Sequence, residues 1–319
     1  MPKSSKEKLL AAIDGLSLDE LLQIKRKVLE RESSLGAGIV DQEREQSVDA
    51  CPHCGVINDF VKDGRENGRQ RFWCKACNRT FNAMTGTPFA KLRQREKHHA
   101  YAQQMLEHKS IPETAEQLNI SWETAWRWRH RILCNISRRQ PLRLSGVVEA
   151  DETFFLECFK GQRGGLPRPG KKRGMPATKR GLSSEQIPVL TAMDRTTKAL
   201  LSIKVKTRQA KHLSPVLAPK LAQDAVLIAD GHRAYRTLGK AHKIEVRVVP
   251  RDPKHRTVGA LHLNNLNRYH KGLKDWMRPF HGVATKYLDL YLGWHRLVDS
   301  EQPGITAQQL LRLSIDPKA

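Results

Sequence analysis

Apolar residues recur with a helical period in the first part of the chain. They form two runs within the first 35 residues, and Ser17 with Glu20 makes a capping box at the start of the second run. We therefore expect a helical hairpin over residues 1–35. Residues 36–50 combine Gly and Ser with mixed charge, which indicates a linker.

A second helical region extends over residues 90–139. Its spacing predicts a short helix, a tight turn near Asn119 and a second helix capped by Ser121, which is the helix-turn-helix pattern. Five arginines, one acid and three tryptophans lie within residues 121–139, and this composition suits contact with DNA phosphates. An ordinary helical pair with core tryptophans fits the same pattern. The residues that we expect to contact DNA are Arg127, Arg129 and Arg131.

Beyond Pro141 the apolar pattern changes to short runs rich in branched residues, which predict five strands. Helices are expected near residues 209–222 and 264–279, among and after these strands. Such an order predicts a mixed α/β domain, with helices packed on a mixed sheet, over residues 145–300. Residues 301–319 are interpreted as a C-terminal tail.

The charge of the chain indicates the class of partner. The length of 319 residues allows about two domains, and 39% of the residues are hydrophobic, which is ordinary for a soluble globular protein. Lys and Arg number 56 against 33 Asp and Glu, giving a net charge of +23, and the surplus lies beyond residue 50. Such a surplus favours a polyanion, so double-stranded DNA is the expected partner. With no membrane-length apolar run or signal peptide, we expect a cytoplasmic protein that joins the nucleoid when bound to DNA.

The most basic stretch lies between the first two predicted strands. Residues 160–181 hold eight Lys or Arg and no acid, together with six Gly, so they cannot bury a core. We interpret this insertion as a contact to the phosphate backbone, with a plain disordered insertion as the alternative. The residues expected to make that contact are Lys171, Lys172 and Arg173.

Four of the six cysteines form two C-x-x-C pairs, Cys51 with Cys54 and Cys74 with Cys77. Their spacing matches a four-cysteine site for structural Zn2+, and the glycines between the pairs fit the hairpin of a zinc ribbon. The sequence therefore predicts a zinc ribbon over residues 51–81. A pair of redox dithiols is the alternative.

Two acids lie where phosphoryl-transfer chemistry would need them. Asp151 interrupts the first predicted strand and Asp230 ends the fourth, and a carboxylate in an apolar strand is costly unless it is paired or bound to a cation. Either one alone also fits a strand-end aspartate that caps a turn. The later helix has polar side chains at offsets of zero, three, four and seven, which puts them on one face of the helix. This face is either a solvated polar surface or part of a functional site, and its residues are Asn267, His270, Lys271 and Lys274.

Together these motifs resemble the transposases of bacterial insertion sequences, in particular the IS1595 (ISXO2-like) family. The resemblance covers about residues 50–298. The matching stretches are Cys51-Pro-His-Cys54, Trp73-Cys74 with Cys77, Glu149-Ala-Asp151-Glu152, Asp194-Arg195, Ala229-Asp230-Gly231, and His262-Leu-Asn264 with Asn267 and Lys274.

The resemblance implies a ribonuclease-H-like catalytic core with an Asp-Asp-(Glu or Asn)-Lys site. Asp151 would bridge two Mg2+ (or Mn2+) ions, Asp230 and Asn267 would each ligate one of them, and Lys274 would hold a substrate phosphate. It further implies cutting at terminal inverted repeats, joining to target DNA, and a homodimer or larger assembly on DNA. Because Asn267 stands where many relatives carry Glu, we expect weaker metal binding before DNA arrives.

Two other functions remain open on the sequence alone. One is a DNA-binding protein derived from a transposase, in which the zinc ribbon and helix-turn-helix act without catalysis. The other is a metal-dependent DNA endonuclease on the same core. All three hypotheses need the same DNA contacts, and they differ in whether DNA is only held, cut, or cut and joined.

Overall fold

The computed structural model describes residues 12–13, 15–162, 164–166, 177–179, 183–249, 259, 261–300 and 304–315. The chain divides into two compact units. The N-terminal unit comprises Met1–Ile132 and Ile305–Lys318, and the sheet unit comprises Leu133–Gly304 with Ala319.

The N-terminal unit combines helices with one small sheet. Its helices are α1 (Leu18–Gln46), α2 (His98–Leu106), α3 (Ile111–Gln117) and α4 (Trp122–Arg138), the last of which continues into the sheet unit, with a short 3-10 turn at Arg95–Lys97. Its strands are β1 (Phe60–Glu66), β2 (Arg69–Cys74) and β3 (Arg79–Asn82), which form an antiparallel sheet in that order.

Local sequence accounts for the turns of this unit. Glu66 pairs with Arg69, so β1 and β2 are joined by Asn67 and Gly68, whose φ angles are 49° and 77°. A two-residue Asn-Gly loop with both φ angles positive gives the hairpin turn that matches strand twist. Ser121 accepts a hydrogen bond from the backbone N–H of Thr124 at 3.1 Å, as expected for the cap of the second helix in a helix-turn-helix.

The linker predicted over residues 36–50 is wrong for most of its length, because α1 runs without a break to Gln46. The capping box of Ser17 and Glu20 is present at its start. Glycine commonly indicates a linker, yet a Cβ at Gly36 would lie 2.4 Å from the ring of His99. Gly36 therefore serves close packing of α1 against α2. The first helix of the predicted hairpin falls largely outside the described residues.

The tail predicted over residues 301–319 is also wrong in part, because it contains a helix, Ala307–Ile315. This C-terminal helix packs against α1 and α2, and Arg312 forms an ion pair with Glu43 of α1. The signal was present in the sequence, since the buried residues of the helix follow helical spacing: Ala307, Leu310, Leu311, Ser314 and Ile315.

The sheet unit contains the five predicted strands. They are β4 (Val147–Leu156), β5 (Gln186–Asp194), β6 (Leu200–Lys204), β7 (Val226–Ala229) and β8 (Glu245–Val248). The sheet order is β6-β5-β4-β7-β8, and β5 runs antiparallel to its neighbours while β7 and β8 run parallel to β4. This is the strand order of the ribonuclease-H-like fold, so the predicted fold class is confirmed.

Helices cover both faces of this sheet. They are α5 (Ala210–Leu217), α6 (Arg233–His242), α7 (Asn264–Met277) and α8 (Leu288–Ser300), with 3-10 turns at Ala218–Lys220, Arg278–Phe280 and Thr285–Tyr287. The first two pack on one face around a continuous apolar core that includes Val148 and Ala150 of β4. On the other face, α7 packs on β4 and β5, and α8 packs on β6.

Alternation along β4 decides which side chains meet which helices. Since successive side chains point to opposite faces, Val148, Ala150 and Glu152 share the face of α5 and α6. Glu149 and Asp151 consequently share the face covered by α7.

In the described part of the chain, every helix is too short or too polar to cross a bilayer.

Candidate active site

Asp151 and Asp230 lie next to each other on neighbouring internal strands of the sheet, Asp151 within β4 and Asp230 directly after β7. β4 and β7 pair in parallel with Ala150 opposite Ala229, and each aspartate is the next residue along its strand. The two carboxylates are close enough for their negative charges to interact. The structure therefore brings together two acids that are 79 residues apart in the sequence.

The protonation of Asp151 reflects this environment. Burial raises the pKa of Asp151 to about 6, and the negative charges of Glu152 and Asp230 act in the same direction. A backbone N–H and the guanidinium of Arg208 oppose the rise. The ionised form of Asp151 is thus poorly compensated by its surroundings, as expected for a carboxylate that binds a cation.

A network around Arg208 holds Asp230. Arg208 donates from Nη2 to Oδ2 of Asp230 at 3.0 Å and from Nε to Oε2 of Glu152 at 2.6 Å. The hydroxyl of Tyr235 donates to the other oxygen of Glu152 at 2.7 Å, and the backbone N–H of His232 donates to Oδ1 of Asp230 at 3.0 Å. Burial, together with the charge of Glu152, raises the pKa of Tyr235, so its hydroxyl stays protonated as a donor.

A second buried glutamate joins β4 to α7. Both oxygens of Glu149 accept hydrogen bonds, from Arg195 Nε at 2.7 Å, from Asn265 Nδ2 at 2.6 Å and from the backbone N–H of Leu266 at 3.2 Å. Arg195 also donates from Nη2 to the carbonyl oxygen of His262 at 2.7 Å. The start of α7 is therefore bonded to the strand that carries Asp151.

The two predicted site residues on α7 lie in the exposed part of the helix. Asn267 is in the first turn, directly after Leu266, and Lys274 lies seven residues further along; both side chains are exposed. His270, which the spacing put on the same face, is instead buried, and burial lowers its pKa to about 4. Since Asp151 faces the helix layer that contains α7, Asn267 and Asp151 share one side of the sheet.

Comparison with known proteins agrees with this geometry. The model of the ISXO2-like transposase domain matches residues 143–294, which span β4 to α8 and include both aspartates. These residues are therefore similar to the ISXO2-like transposase domain. An uncharacterised protein in the transposable element ISH50 of Halobacterium salinarum is 27% identical over 275 residues, covering 85% of this chain and 91% of that protein.

Solved structures give weaker likenesses. An intasome of simian T-cell lymphotropic virus in complex with PP2A regulatory subunit B56 gamma matches with a TM-score of 0.32 and 12% identity, over 66% of this chain and 74% of that chain. A pre-cleavage Mos1 transpososome matches with a TM-score of 0.23 and 13% identity, over 67% of this chain and 76% of that chain. Because these scores are low, the fold assignment depends on the sheet topology of the chain itself.

The donor set around the two aspartates fits divalent cations. Carboxylate and amide oxygens are the hard ligands that Mg2+ prefers, and Asp151, Asp230 and Asn267 are of these types. The raised pKa of Asp151 indicates a carboxylate whose charge a nearby cation would balance. Arg208 supplies part of that balance at Asp230.

The four paired cysteines converge in the N-terminal unit. Their sulfur atoms all lie within 4.8 Å of one another, and Cys51 to Cys77 and Cys54 to Cys74 are each 3.7 Å apart. Tetrahedral Zn2+ with Zn–S bonds of about 2.3 Å places its sulfurs roughly 3.8 Å apart. The cluster therefore fits a tetrahedral zinc ion.

The three arginines predicted to contact DNA differ in exposure. Arg127 is exposed on α4. Arg129 is 1% exposed and donates to the carbonyl oxygen of Lys109 at 2.8 Å, so the prediction that it contacts DNA is wrong. Arg131 is half-buried and donates to the carbonyl oxygen of Ala90 at 3.0 Å, which ties its guanidinium to the protein. Spacing alone could not separate these arginines, because the core of the helix pair includes both apolar and guanidinium groups.

Part of the basic insertion lies outside the described residues, and this part includes Lys171, Lys172 and Arg173. Their predicted contact with phosphates stays a prediction.

Sequence reasoning missed the residues that support the aspartates. Glu149 and Glu152 had a signal, because acids in an apolar strand must be paired when they are buried. Arg195 was part of the matching Asp194-Arg195 stretch but was given no role, and Arg208 had no signal of its own, since it is one among 56 basic residues. Their partners become visible only when the strands are in register.

Proposed function

We propose that this protein is a metal-dependent DNA transposase that binds the terminal inverted repeats of an insertion sequence, cuts there, and joins the freed 3'-hydroxyl to target DNA. The observation that carries the proposal is the juxtaposition of Asp151 and Asp230 on neighbouring internal strands of a ribonuclease-H-like sheet, within the segment that matches a transposase domain. Paired cutting of two ends further requires a homodimer or larger assembly on DNA.

The catalytic roles follow from the donor types. Asp151 would hold both of two Mg2+ or Mn2+ ions, Asp230 would hold one, and the amide oxygen of Asn267 would hold the other. Such ions activate the attacking oxygen and stabilise the leaving oxygen of the phosphodiester. Lys274, a compact cation on the exposed side of α7, would bind a substrate phosphate.

The charge of the donor set has a consequence for the order of binding. Asp151 and Asp230 together supply two negative charges, and Arg208 offsets part of that charge at Asp230. Two divalent ions carry four positive charges, so the site alone balances them poorly. Phosphates of bound DNA would supply the remaining negative charge, and metal binding is therefore expected to tighten when DNA is present.

The N-terminal unit would hold the ends of the element. The four cysteines would bind one structural Zn2+, which would hold the two C-x-x-C turns together and stabilise the zinc ribbon. Arg127 and the 54%-exposed side chain of Trp122 lie on the exposed side of the second helix of the helix-turn-helix and would meet the DNA groove. Lys171, Lys172 and Arg173 would contact the phosphate backbone elsewhere.

The test is a strand-transfer assay with zinc-loaded protein, Mg2+, DNA carrying the element ends and a target plasmid. We expect joined product from the wild-type chain, and we expect its loss in Asp151→Ala and Asp230→Ala with DNA binding retained. Asp224→Ala is the matched control, because Asp224 is an exposed aspartate near the opposite end of the strand that leads to Asp230.

Three other outcomes would contradict the proposal. Cleavage without joining would indicate an endonuclease. Retention on DNA without scission would indicate a DNA-binding protein derived from a transposase. Near-normal joining by either aspartate variant would show that the catalytic site lies elsewhere.

A further inference from the structure

Glu149 is a buried carboxylate close to the active site. Its side chain has 0% exposure, and it lies two residues before Asp151, so both side chains leave β4 on the same face. Burial of a charged group costs free energy unless hydrogen bonds and an opposite charge compensate it. The groups that bind the carboxylate of Glu149 therefore indicate which part of the structure this buried charge stabilises.

Two of these partners belong to the first turn of α7. Asn265 donates from Nδ2 to Oε1 of Glu149 at 2.6 Å, and the backbone N–H of Leu266 donates to Oε2 at 3.2 Å. The first N–H groups of a helix have no partner within the helix, and a carboxylate there is also favoured by the helix dipole. Glu149 thus caps α7 from a neighbouring strand.

The third partner extends the same connection to the residues before the helix. Arg195, just after β5, donates from Nε to Oε1 of Glu149 at 2.7 Å and from Nη2 to the carbonyl oxygen of His262 at 2.7 Å. One guanidinium therefore binds both the glutamate and the backbone that leads into α7. The segment His262–Leu266 is bonded to the sheet at three points.

We propose that Glu149 is a positioning residue for the metal site, which fixes the first turn of α7 to β4 and so sets Asn267 relative to Asp151. This inference rests on the proposed function, because it takes Asn267 and Asp151 as metal ligands. The relationship is direct along the chain: Asp151 is two residues from Glu149 on β4, and Asn267 is one residue from Leu266 on α7. An amide is a weaker ligand than a carboxylate, so the position of Asn267 must be well defined for it to contribute.

The test uses the full zinc-loaded chain and Asn265→Ala, which removes one helix-side donor and leaves the Glu149–Arg195 ion pair in place. The matched control is Asp275→Asn, which removes an exposed ion pair with Arg278 at the other end of the same helix. Arg195→Lys is a second variant that keeps a positive charge beside Glu149 and loses the fork that also reaches His262.

The readout is the dissociation constant of Mn2+ without DNA, measured by electron paramagnetic resonance, together with the thermal unfolding midpoint of each variant. We expect Asn265→Ala and Arg195→Lys to weaken Mn2+ binding by about tenfold, the lower end of what the loss of outer-shell partners costs a metal site. Asp275→Asn should leave Mn2+ binding unchanged. Equal Mn2+ binding in all three variants would overturn the inference.

A double-variant cycle tests the route through Asn267. If Asn265 acts by placing Asn267, the loss of Mn2+ affinity in Asn265→Ala should be absent in an Asn267→Ala background. Additive losses would overturn the inference. Asp151→Asn and Asp230→Asn distinguish failure of the proposed function from failure of the positioning role. If these two variants bind Mn2+ normally, the proposed function itself fails. If they bind Mn2+ weakly while Asn265→Ala binds it normally, only the positioning role is refuted.

Discussion

Arg208 donates a hydrogen bond to Asp230 at 3.0 Å and thereby places a fixed positive charge against one of the two aspartates proposed as metal ligands. The same guanidinium is bound to buried Glu152, which in turn accepts from the hydroxyl of Tyr235. Asp230 is therefore oriented by a chain of contacts that begins in the interior of the sheet unit.

The fork of Arg208 is expected to matter more than its charge. Lysine is a point charge that can reach Glu152 or Asp230 but does not bridge them with a planar fork. We expect Arg208→Lys to lower strand cleavage by roughly tenfold with unchanged DNA affinity, as for other outer-shell partners of metal ligands. A cleavage assay at saturating DNA measures this, and full activity in Arg208→Lys would show that charge alone suffices.

Asp151→Asn is expected to stabilise the fold while abolishing the reaction. The pKa of Asp151 is raised to about 6 by burial, whereas an aspartate in an unfolded chain titrates near 3.9. Its contribution to stability is therefore present below pH 4 and disappears as the pH rises through 6. An asparagine does not ionise, so Asp151→Asn does not lose stability as the pH rises. At pH 7 the free energy of unfolding of Asp151→Asn should therefore exceed that of the wild type by roughly 1 to 3 kcal/mol, at about 1.4 kcal/mol for each unit of pKa.

Urea unfolding of wild type and Asp151→Asn at pH 5 and pH 7, without added divalent ions, measures this difference. The difference should fall to about half at pH 5, because the carboxyl of Asp151 is then mostly protonated in the folded state but already ionised in the unfolded chain. The same difference in stability at both pH values would contradict the assignment of the raised pKa to Asp151.

Cys74→Ser is expected to release zinc and unfold the ribbon. Apart from the cysteines, the centre of the ribbon is a small cluster of three aromatic rings with centroids 5.3 to 5.5 Å apart: Phe60, Phe72 and Phe81. So small a core depends on its metal for folding. Zinc content by atomic absorption and proteolysis across residues 51–81 measure the effect, with Cys134→Ser as the control. Full zinc retention in Cys74→Ser would refute the site.

Arg127 and Arg129 are expected to behave differently although they are two residues apart. Arg127→Ala should weaken DNA binding and lower the salt slope of the binding constant by about 0.9 for each phosphate that the variant no longer neutralises. Arg129→Ala should instead lower the free energy of unfolding by about 2 to 4 kcal/mol, since it empties a buried position and leaves the Lys109 carbonyl without its donor. Fluorescence anisotropy across a salt series and urea unfolding distinguish them. A salt slope unchanged by Arg127→Ala would remove its assigned role.

The sequence was most informative where burial repeats with a fixed period. Each of the five strands of the sheet unit was predicted, because short runs of branched apolar residues favour buried β-strands. Asp151 and Asp230 stood out for the same reason, as charged residues that interrupt or end such runs. The cysteine pairs were equally informative, because a tetrahedral metal constrains their spacing.

The sequence was least informative where tertiary contacts override local signals. Gly36 favours a linker by its residue type, but in α1 it makes room for the ring of His99. Arginine is a residue type that usually lies at the surface, but the guanidinium of Arg129 binds a backbone carbonyl in the interior. Arg195 and Arg208 depend on the register of β4, which fixes Glu149 and Glu152 beside them and cannot be inferred from composition.

The central claim is that Asp151 and Asp230 form one divalent-cation site, and Mn2+ diffraction tests it most directly. Crystals of the zinc-loaded chain soaked in Mn2+ should give an anomalous difference peak bonded to carboxylate oxygens of both aspartates. The peak should vanish in Asp151→Asn crystals. A well-diffracting Mn2+-soaked crystal with no peak between the two carboxylates, or with Mn2+ bound only elsewhere, would contradict the claim.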